Sequence, residues 1–405
     1  MHHIWQKKKI SDECFYRILQ LLMALPMLQY VRIIFYIWDS FVLNFIKKPK
    51  SSINQEKKQV LIVFPFALGD CILFLGSLIN MRKVYPANQY TIHLICQKGY
   101  EELFQGYFDN IFSLDFAQMS LHPMYRIKMC RLVRRIYYDI ALDPIGCEVC
   151  SPNVFIMNAV CADEKIGVFT KSFQKVQCPS WMRKHIYTKI ISLPKADFHK
   201  LKQYAYIWQV LGSIQPLIKP AVLPRIELNF KLPEKYFVIF PSASLKVKQW
   251  PIERFAVLAE RIYKKTGFTL VVCGTQHDAN TVNFFLKQIP EIPTVNYVGK
   301  TSVKEFIEVI ARAELLVTND TSAYHIGVAL NIKVCVITGC YVFNSFINYD
   351  FLEKDRRKPV VVCRKLHCQD CNNNCIYFVK EVYPCVMANS VEDAWNALLQ
   401  LLEST

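Results

Sequence analysis

Apolar and polar positions divide the chain into three parts with different rhythms. Residues 1–50 carry a dense run of Leu, Ile, Phe, Tyr and Trp between Phe15 and Phe45, broken by Pro26 and carrying Arg17, Arg32 and Asp39. Lys7, Lys8 and Lys9 precede the run, and Lys47, Lys48 and Lys50 follow it. A bilayer span needs roughly 18–20 uncharged apolar residues, which this interrupted run does not provide. It predicts two shorter helices, either lying in a membrane interface with their lysines on anionic headgroups or packed on the protein body. The polar stretch Ser51 to Gln59 follows as a linker.

Short apolar runs then alternate with segments of helical spacing. Val60–Phe64, Thr91–Cys96, Ile111–Leu114 and Ile140–Leu142 read as buried parallel strands. Ile72–Val84 and the basic segment Tyr125–Ile136 read as helices. The rhythm restarts near Tyr236. Strands are expected at Phe237–Phe240, Thr269–Cys273, Leu315–Thr318 and Val334–Thr338. Helices are expected at Glu253–Lys264, Ala279–Gln288, Ala323–Leu330 and Val391–Leu402. Repeated β-α-β units imply an α/β fold of two doubly wound, Rossmann-like domains facing a cleft, with ligands at the carboxyl ends of the strands. Prolines 216, 220 and 224 mark the connection. The expected organisation is a helical extension over 1–50, one domain over 51–225 and a second over 226–405.

Charge narrows the partners. A net charge of +16 fits nucleic acid, an anionic membrane or a phosphorylated substrate. No zinc-finger or RNP pattern and no Gly/Arg-rich arm is present, so nucleic acid is not the expected partner. Basic residues beside an apolar N-terminus favour a membrane surface. The sixteen cysteines sit largely inside apolar strand-like runs, among them Cys96, Cys273 and Cys335, where a thiol acts as a small hydrophobe. With no evident signal peptide, a reducing cytoplasm is the expected compartment.

Three strand-to-loop passages hold candidate chemistry. Leu315–Thr318 runs into Asn319, Asp320, Thr321 and Ser322 and then a helix with His325; these are N-cap types, and exposed N–H groups with the helix dipole there favour a pyrophosphate. Phe240 runs into Pro241, Ser242, Ala243 and Ser244, followed by Lys246 and Lys248, point charges suited to phosphate. Phe64-Pro65-Phe66-Ala67-Leu68-Gly69-Asp70 leads into a helix, where Asp70 is either an N-cap or a base for an attacking hydroxyl. Each passage alone is also consistent with ordinary capping or a solvated loop.

Together, in this order, the motifs resemble glycosyltransferase family 9, the lipopolysaccharide heptosyltransferase family. The resemblance rests on Ala67 to Asp70, Pro241 to Ala243, Lys248 to Pro251 and Asn319 to His325, with weaker echoes at Tyr138–Asp143 and Lys165–Val168. It implies a GT-B fold and an inverting, metal-independent transfer from a nucleotide-sugar donor, typically ADP-heptose, to a lipid-linked, anionic lipopolysaccharide-core acceptor. The setting would be the cytoplasmic face of a bacterial inner membrane, with the enzyme held peripherally and no cofactor required. Asp70 would be the general base. Lys248 would neutralise donor phosphate, with Asp320, Thr321 and Ser322 holding the pyrophosphate and Ser242, Ser244 and His325 assisting. In such a fold the N-terminal half faces the acceptor, so Arg131, Arg134 and Arg135 are candidates for an anionic glycolipid or the membrane. Three departures touch the donor pocket: Ser242 replaces a common glycine, Ser322 another, and Gly339-Cys340-Tyr341 a familiar Gly-Pro-Thr.

The cysteines Cys363, Cys368, Cys371, Cys375 and Cys385 admit packed or bridged thiols, or a structural zinc on Cys368, Cys371, Cys375 and Cys385. A redox cluster is a further reading. Other functions consistent with the chain are transfer of another sugar to a different surface glycan, and an idle nucleotide-binding or membrane scaffold.

Overall fold

A computed structural model describes residues 31–49, 56–170, 178–194, 198–377, 379 and 381–403. The first of the two expected N-terminal helices, with Lys7 to Lys9, Arg17 and Pro26, lies outside the described residues, as does part of the linker. The chain divides into two compact units, one ending at Ile218 and the other beginning at Lys219.

The N-terminal unit is built on six parallel strands: β1 (Lys58–Phe64), β2 (Tyr90–Gln97), β3 (Asn110–Leu114), β4 (Tyr138–Asp143), β5 (Ala162–Phe169) and β6 (Lys189–Ser192). Their order is β3-β2-β1-β4-β5-β6. β1 lies in the middle, and Val60 to Phe64 are wholly buried because helices cover both faces of the sheet. The strand order reverses between β1 and β4, the point at which such sheets take ligands.

The C-terminal unit repeats the plan with β7 (Tyr236–Phe240), β8 (Thr269–Val272), β9 (Thr294–Asn296), β10 (Leu315–Asn319), β11 (Val334–Ile337) and β12 (Val360–Val362). The order β12-β11-β10-β7-β8-β9 is the same topology read from the other edge, and every pairing is parallel. The switch point falls between β7 and β10. Arg225 is tied to this unit by Nε and Nη2 bonds of 2.7 and 3.0 Å to Glu308, which also receives Arg312. These bonds hold the Glu308 carboxyl at about 2, below its ordinary value.

The expected strands and helices are present to within a few residues, and four further strands appear. β5 opens on Ala162, Asp163, Glu164 and Lys165, a polar start that hides a strand. β6 is a mostly exposed edge, and β9 and β12 have three residues each. The basic helix spans Pro123–Val133, and its charges have separate destinations. Arg131 and Arg135 are exposed. Arg126 is fully buried, bonded to Asp39, with its guanidinium 4.7 and 4.2 Å from the rings of Phe35 and Phe155. Arg134 donates from Nη1 to the carbonyls of Leu43 and Ile46 at 2.6 and 3.0 Å, and from Nε to that of Ala159. Residues 31–43 are helical and are riveted to the N-terminal unit by these bonds. Among the described residues no helix is long and apolar enough to cross a membrane.

Candidate functional site

In the C-terminal unit the switch point assembles one polar cluster. β10 ends at Asn319, whose buried amide donates to the Pro241 carbonyl at 2.7 Å and accepts from the Trp250 backbone N–H at 2.9 Å. One side chain thus fastens both ends of the loop that carries Ser242, Ser244 and Lys248. Trp250 is fully buried, and its indole donates to the Asn389 carbonyl at 2.9 Å. Asn389 in turn donates to Thr338 at the end of β11.

Asp320 follows Asn319 and stands at the centre. Lys248 Nζ lies 3.4 Å from Asp320 Oδ2, and the Tyr341 hydroxyl donates to the same oxygen at 2.9 Å. Lys248 also sits 4.8 Å from the centre of the Tyr341 ring. Tyr341 is buried, so its phenol and face form a fixed wall for the lysine. The residue that departs from the expected Gly-Pro-Thr therefore belongs to the same cluster. Gly339 before it has no room for a side chain: a Cβ there would stand 2.4 Å from Cys385 Sγ.

The helix Ser322–Ala329 begins beside Asp320. Its N-cap is Thr321, not Asp320 or Ser322, and no side chain caps it. The Thr321 hydroxyl pairs with that of Thr318 at 3.0 Å instead. First-turn N–H groups left without a side-chain cap are donors for an anion. Ser242 adds a buried hydroxyl with no hydrogen-bond partner among the described residues, whereas Ser244 is exposed. A lysine, an uncapped helix start and an orphaned hydroxyl together suit a diphosphate.

His325 lies on the same helix but is buried, with Nδ1 3.0 Å from the Tyr349 hydroxyl. Burial holds it at about 4, against an ordinary 6.5, with Lys248 adding to the fall and Asp320 opposing it. The ring is neutral at physiological pH and offers a phosphate no cation. The unfolded chain binds a proton here near 6.5 and the folded one only near 4. The neutral ring's contribution to stability is therefore present above 6.5 and is lost as the pH falls toward 4. An NMR titration of the His325 ring should show no midpoint near 6.5; a midpoint there would mean the ring is hydrated.

In the N-terminal unit Asp70 is not an N-cap. The helix Leu68–Ser77 is capped by Ala67, and Asp70 occupies the third helical position, half-buried. The Tyr204 hydroxyl donates to Asp70 Oδ1 at 3.4 Å, and Lys200 Nζ lies 5.6 Å from the Tyr204 ring centre. Tyr204 is held by Phe64 and Phe74 and sits on the helix Lys200–Gly212, which is pinned by a 3.1 Å bond from the Trp208 indole to Ser77. Burial and the Asp70 charge push the Tyr204 phenol well up, so it remains a donor.

The two weaker echoes meet through Tyr187. A Cβ on Gly167 would stand 2.8 Å from the Tyr187 ring, so glycine admits that ring, and its hydroxyl donates to Asp143 at 2.6 Å. Burial lifts the Asp143 carboxyl to about 7 despite donors from Tyr187 and Asn153. Asp143 ends β4 at the switch point and is fully buried.

The fifteen described cysteines are free thiols. Among the described residues no three His, Cys, Asp or Glu side chains are grouped to hold a metal. Cys340 and Cys385 are hydrogen-bonded to one another; Cys368, Cys371 and Cys375 are part-exposed.

Two six-stranded, all-parallel Rossmann-like sheets are the elements of a GT-B fold. The sequence model of glycosyltransferase family 9 (heptosyltransferase) matches residues 214–339. Over this segment, about a third of its length, the chain is similar to glycosyltransferase family 9. Lipooligosaccharide heptosyltransferase 2 of Haemophilus influenzae is 29% identical over 154 residues, covering 36% of this chain and 42% of the relative. The chain thus spans less than half the length of that curated relative. Among solved structures, a family 9 glycosyltransferase from Veillonella parvula has a TM-score of 0.66 at 18% identity, covering 87% of this chain and 99% of its own. The E. coli ADP-heptose lipopolysaccharide heptosyltransferase II has a TM-score of 0.60 at 16% identity, covering 85% and 98%. At these identities the likeness is one of fold.

Proposed function

We propose that the protein is an inverting glycosyltransferase that moves a sugar, heptose from ADP-heptose, onto a lipopolysaccharide-core acceptor. The observation that carries this reading is the Lys248–Asp320–Tyr341 cluster beside the uncapped helix Ser322–Ala329. The nucleoside diphosphate would lie there. Lys248 and the helix N–H groups would neutralise the leaving diphosphate, with Thr321, Ser322 and the Ser242 hydroxyl completing its hydrogen bonds. Asp320 holds Lys248 in place, and Tyr341 holds Asp320.

Asp70 is the proposed general base. It would accept the proton of the acceptor hydroxyl as that oxygen attacks the anomeric carbon. The Tyr204 hydroxyl donates to Asp70 Oδ1 and orients the carboxylate. Direct displacement inverts the anomeric configuration, and positive charge supplied by the chain takes the place of a metal at the diphosphate. Exposed Arg131 and Arg135 are the proposed contacts for a phosphorylated acceptor. Arg134, committed to three carbonyls, serves the fold instead. The acceptor is lipid-borne, which places the enzyme at the cytoplasmic face of the inner membrane.

The test is a transfer assay with ADP-heptose and a lipopolysaccharide-core acceptor, run with and without chelator, with the product anomer read by NMR. Transfer with inversion in chelator supports the proposal. Transfer only from another sugar nucleotide would keep the mechanism and remove heptose, and no transfer from any donor would leave the scaffold reading.

A further inference from the structure

The helix over residues 31–43 is inside out for a protein in water. Its inward positions hold the charges: Asp39 is 2% exposed, Arg32 is half-buried, and Tyr36 and Leu43 lie between and beyond them. Asp39 is paired with the equally buried Arg126. Outward stand Ile34, Ile37, Phe41 and Phe45, exposed by 63, 58, 57 and 75%. Ile34, Ile37 and Phe41, spaced by three and four residues, share one helix face, and Phe45 in the turn that follows stacks edge-on against Phe41 at 5.1 Å. Trp38 flanks the row, and Trp181, 52% exposed, packs edge-on against Tyr36 at 5.6 Å.

This exposure is not the fraying of a loose segment. Arg134 holds the carbonyls of Leu43 and Ile46, the Asn158 amide donates to Ser40 at 3.2 Å, and Arg126 is clamped between Phe35 and Phe155. Buried polar bonds fix the helix so that the apolar row must face outward. Contiguous apolar surface of this kind marks a contact site. Its rim is cationic: Lys47, Lys48 and Lys184 are exposed, and the single acid among residues 31–49 is the buried Asp39.

We infer that this face is a docking surface for an anionic bilayer. Ile34, Ile37, Phe41 and Phe45 enter the boundary between headgroups and acyl chains. Trp38 and Trp181 lie at headgroup depth, and Lys47, Lys48 and Lys184 meet lipid phosphates. The lack of a facing acid favours lipid over a protein partner. Because the helix is riveted to the N-terminal unit, the bilayer fixes the orientation of that unit as well as its location. The inference deepens the peripheral-membrane part of the proposed function and is independent of donor binding.

The test is flotation of the full chain with phosphatidylethanolamine–phosphatidylglycerol vesicles and with phosphatidylcholine vesicles. Combined Ile34→Ser, Ile37→Ser, Phe41→Ser and Phe45→Ser should reduce binding to the anionic vesicles by about tenfold or more. Thermal unfolding and nucleotide binding should be unchanged, since these side chains pack on little. Lys47→Glu with Lys48→Glu should remove the preference for phosphatidylglycerol and its sensitivity to salt. Flotation of the serine variant at the wild-type level would overturn the inference. So would a wild type that ignores both vesicles and a serine variant that turns a dimer into monomers, which would make the face an interface between copies.

Discussion

Asp70→Asn should lower turnover by about 10²- to 10⁴-fold, the usual contribution of a positioned base. The amide keeps the shape of the carboxylate, and its oxygen still accepts the Tyr204 hydroxyl now 3.4 Å away. The helix Leu68–Ser77 keeps Ala67 as its cap, so the fold should survive. What is lost is a group that takes up a proton. Donor affinity should be unchanged, because Asp70 belongs to the N-terminal unit and the proposed diphosphate cluster to the C-terminal one. Steady-state kinetics with both substrates separates the cases. A fall in kcat with donor KM preserved supports the base; near wild-type turnover would return Asp70 to a purely structural role.

Lys248→Ala should weaken nucleoside diphosphate binding by roughly 10- to 100-fold, as expected for losing a charged hydrogen bond. In the free protein this lysine is shared between Asp320 at 3.4 Å and the Tyr341 face at 4.8 Å. On the proposed reading, phosphate would compete with Asp320 for it, which would limit affinity while holding the ammonium in place. The substitution also leaves Asp320 facing the diphosphate with only Tyr341 to hold it, so repulsion adds to the lost attraction. Calorimetric titration reads the change, and equal binding by wild type and variant would move the phosphate elsewhere.

Much of the fold is legible in the chain because strands buried on both faces must be continuous apolar runs, as in Val60–Phe64 and Leu315–Val317. Edge strands escape this rule. β6 and the three-residue β9 and β12 bury too little to leave a pattern. The candidate site was legible as residue types after strands, since Asp70, Ser242, Lys248 and Asp320 follow strand ends, where doubly wound sheets take ligands. The ties between them were not. Asn319 meets Pro241 across 78 residues of chain, and Arg126 meets Asp39 across 87. Nothing local distinguishes a buried arginine in a basic helix from its exposed neighbours Arg131 and Arg135. Tyr341 was visible only as a departure from a familiar motif, and its bond to Asp320 gives that departure a physical meaning.

The central claim is that the C-terminal switch point binds a nucleoside diphosphate without a metal. Titration of ADP, UDP and GDP into the wild-type protein in chelator, by calorimetry, tests it most directly. The account predicts saturable binding of ADP in preference to the others. No binding of any of the three by the folded protein would contradict it.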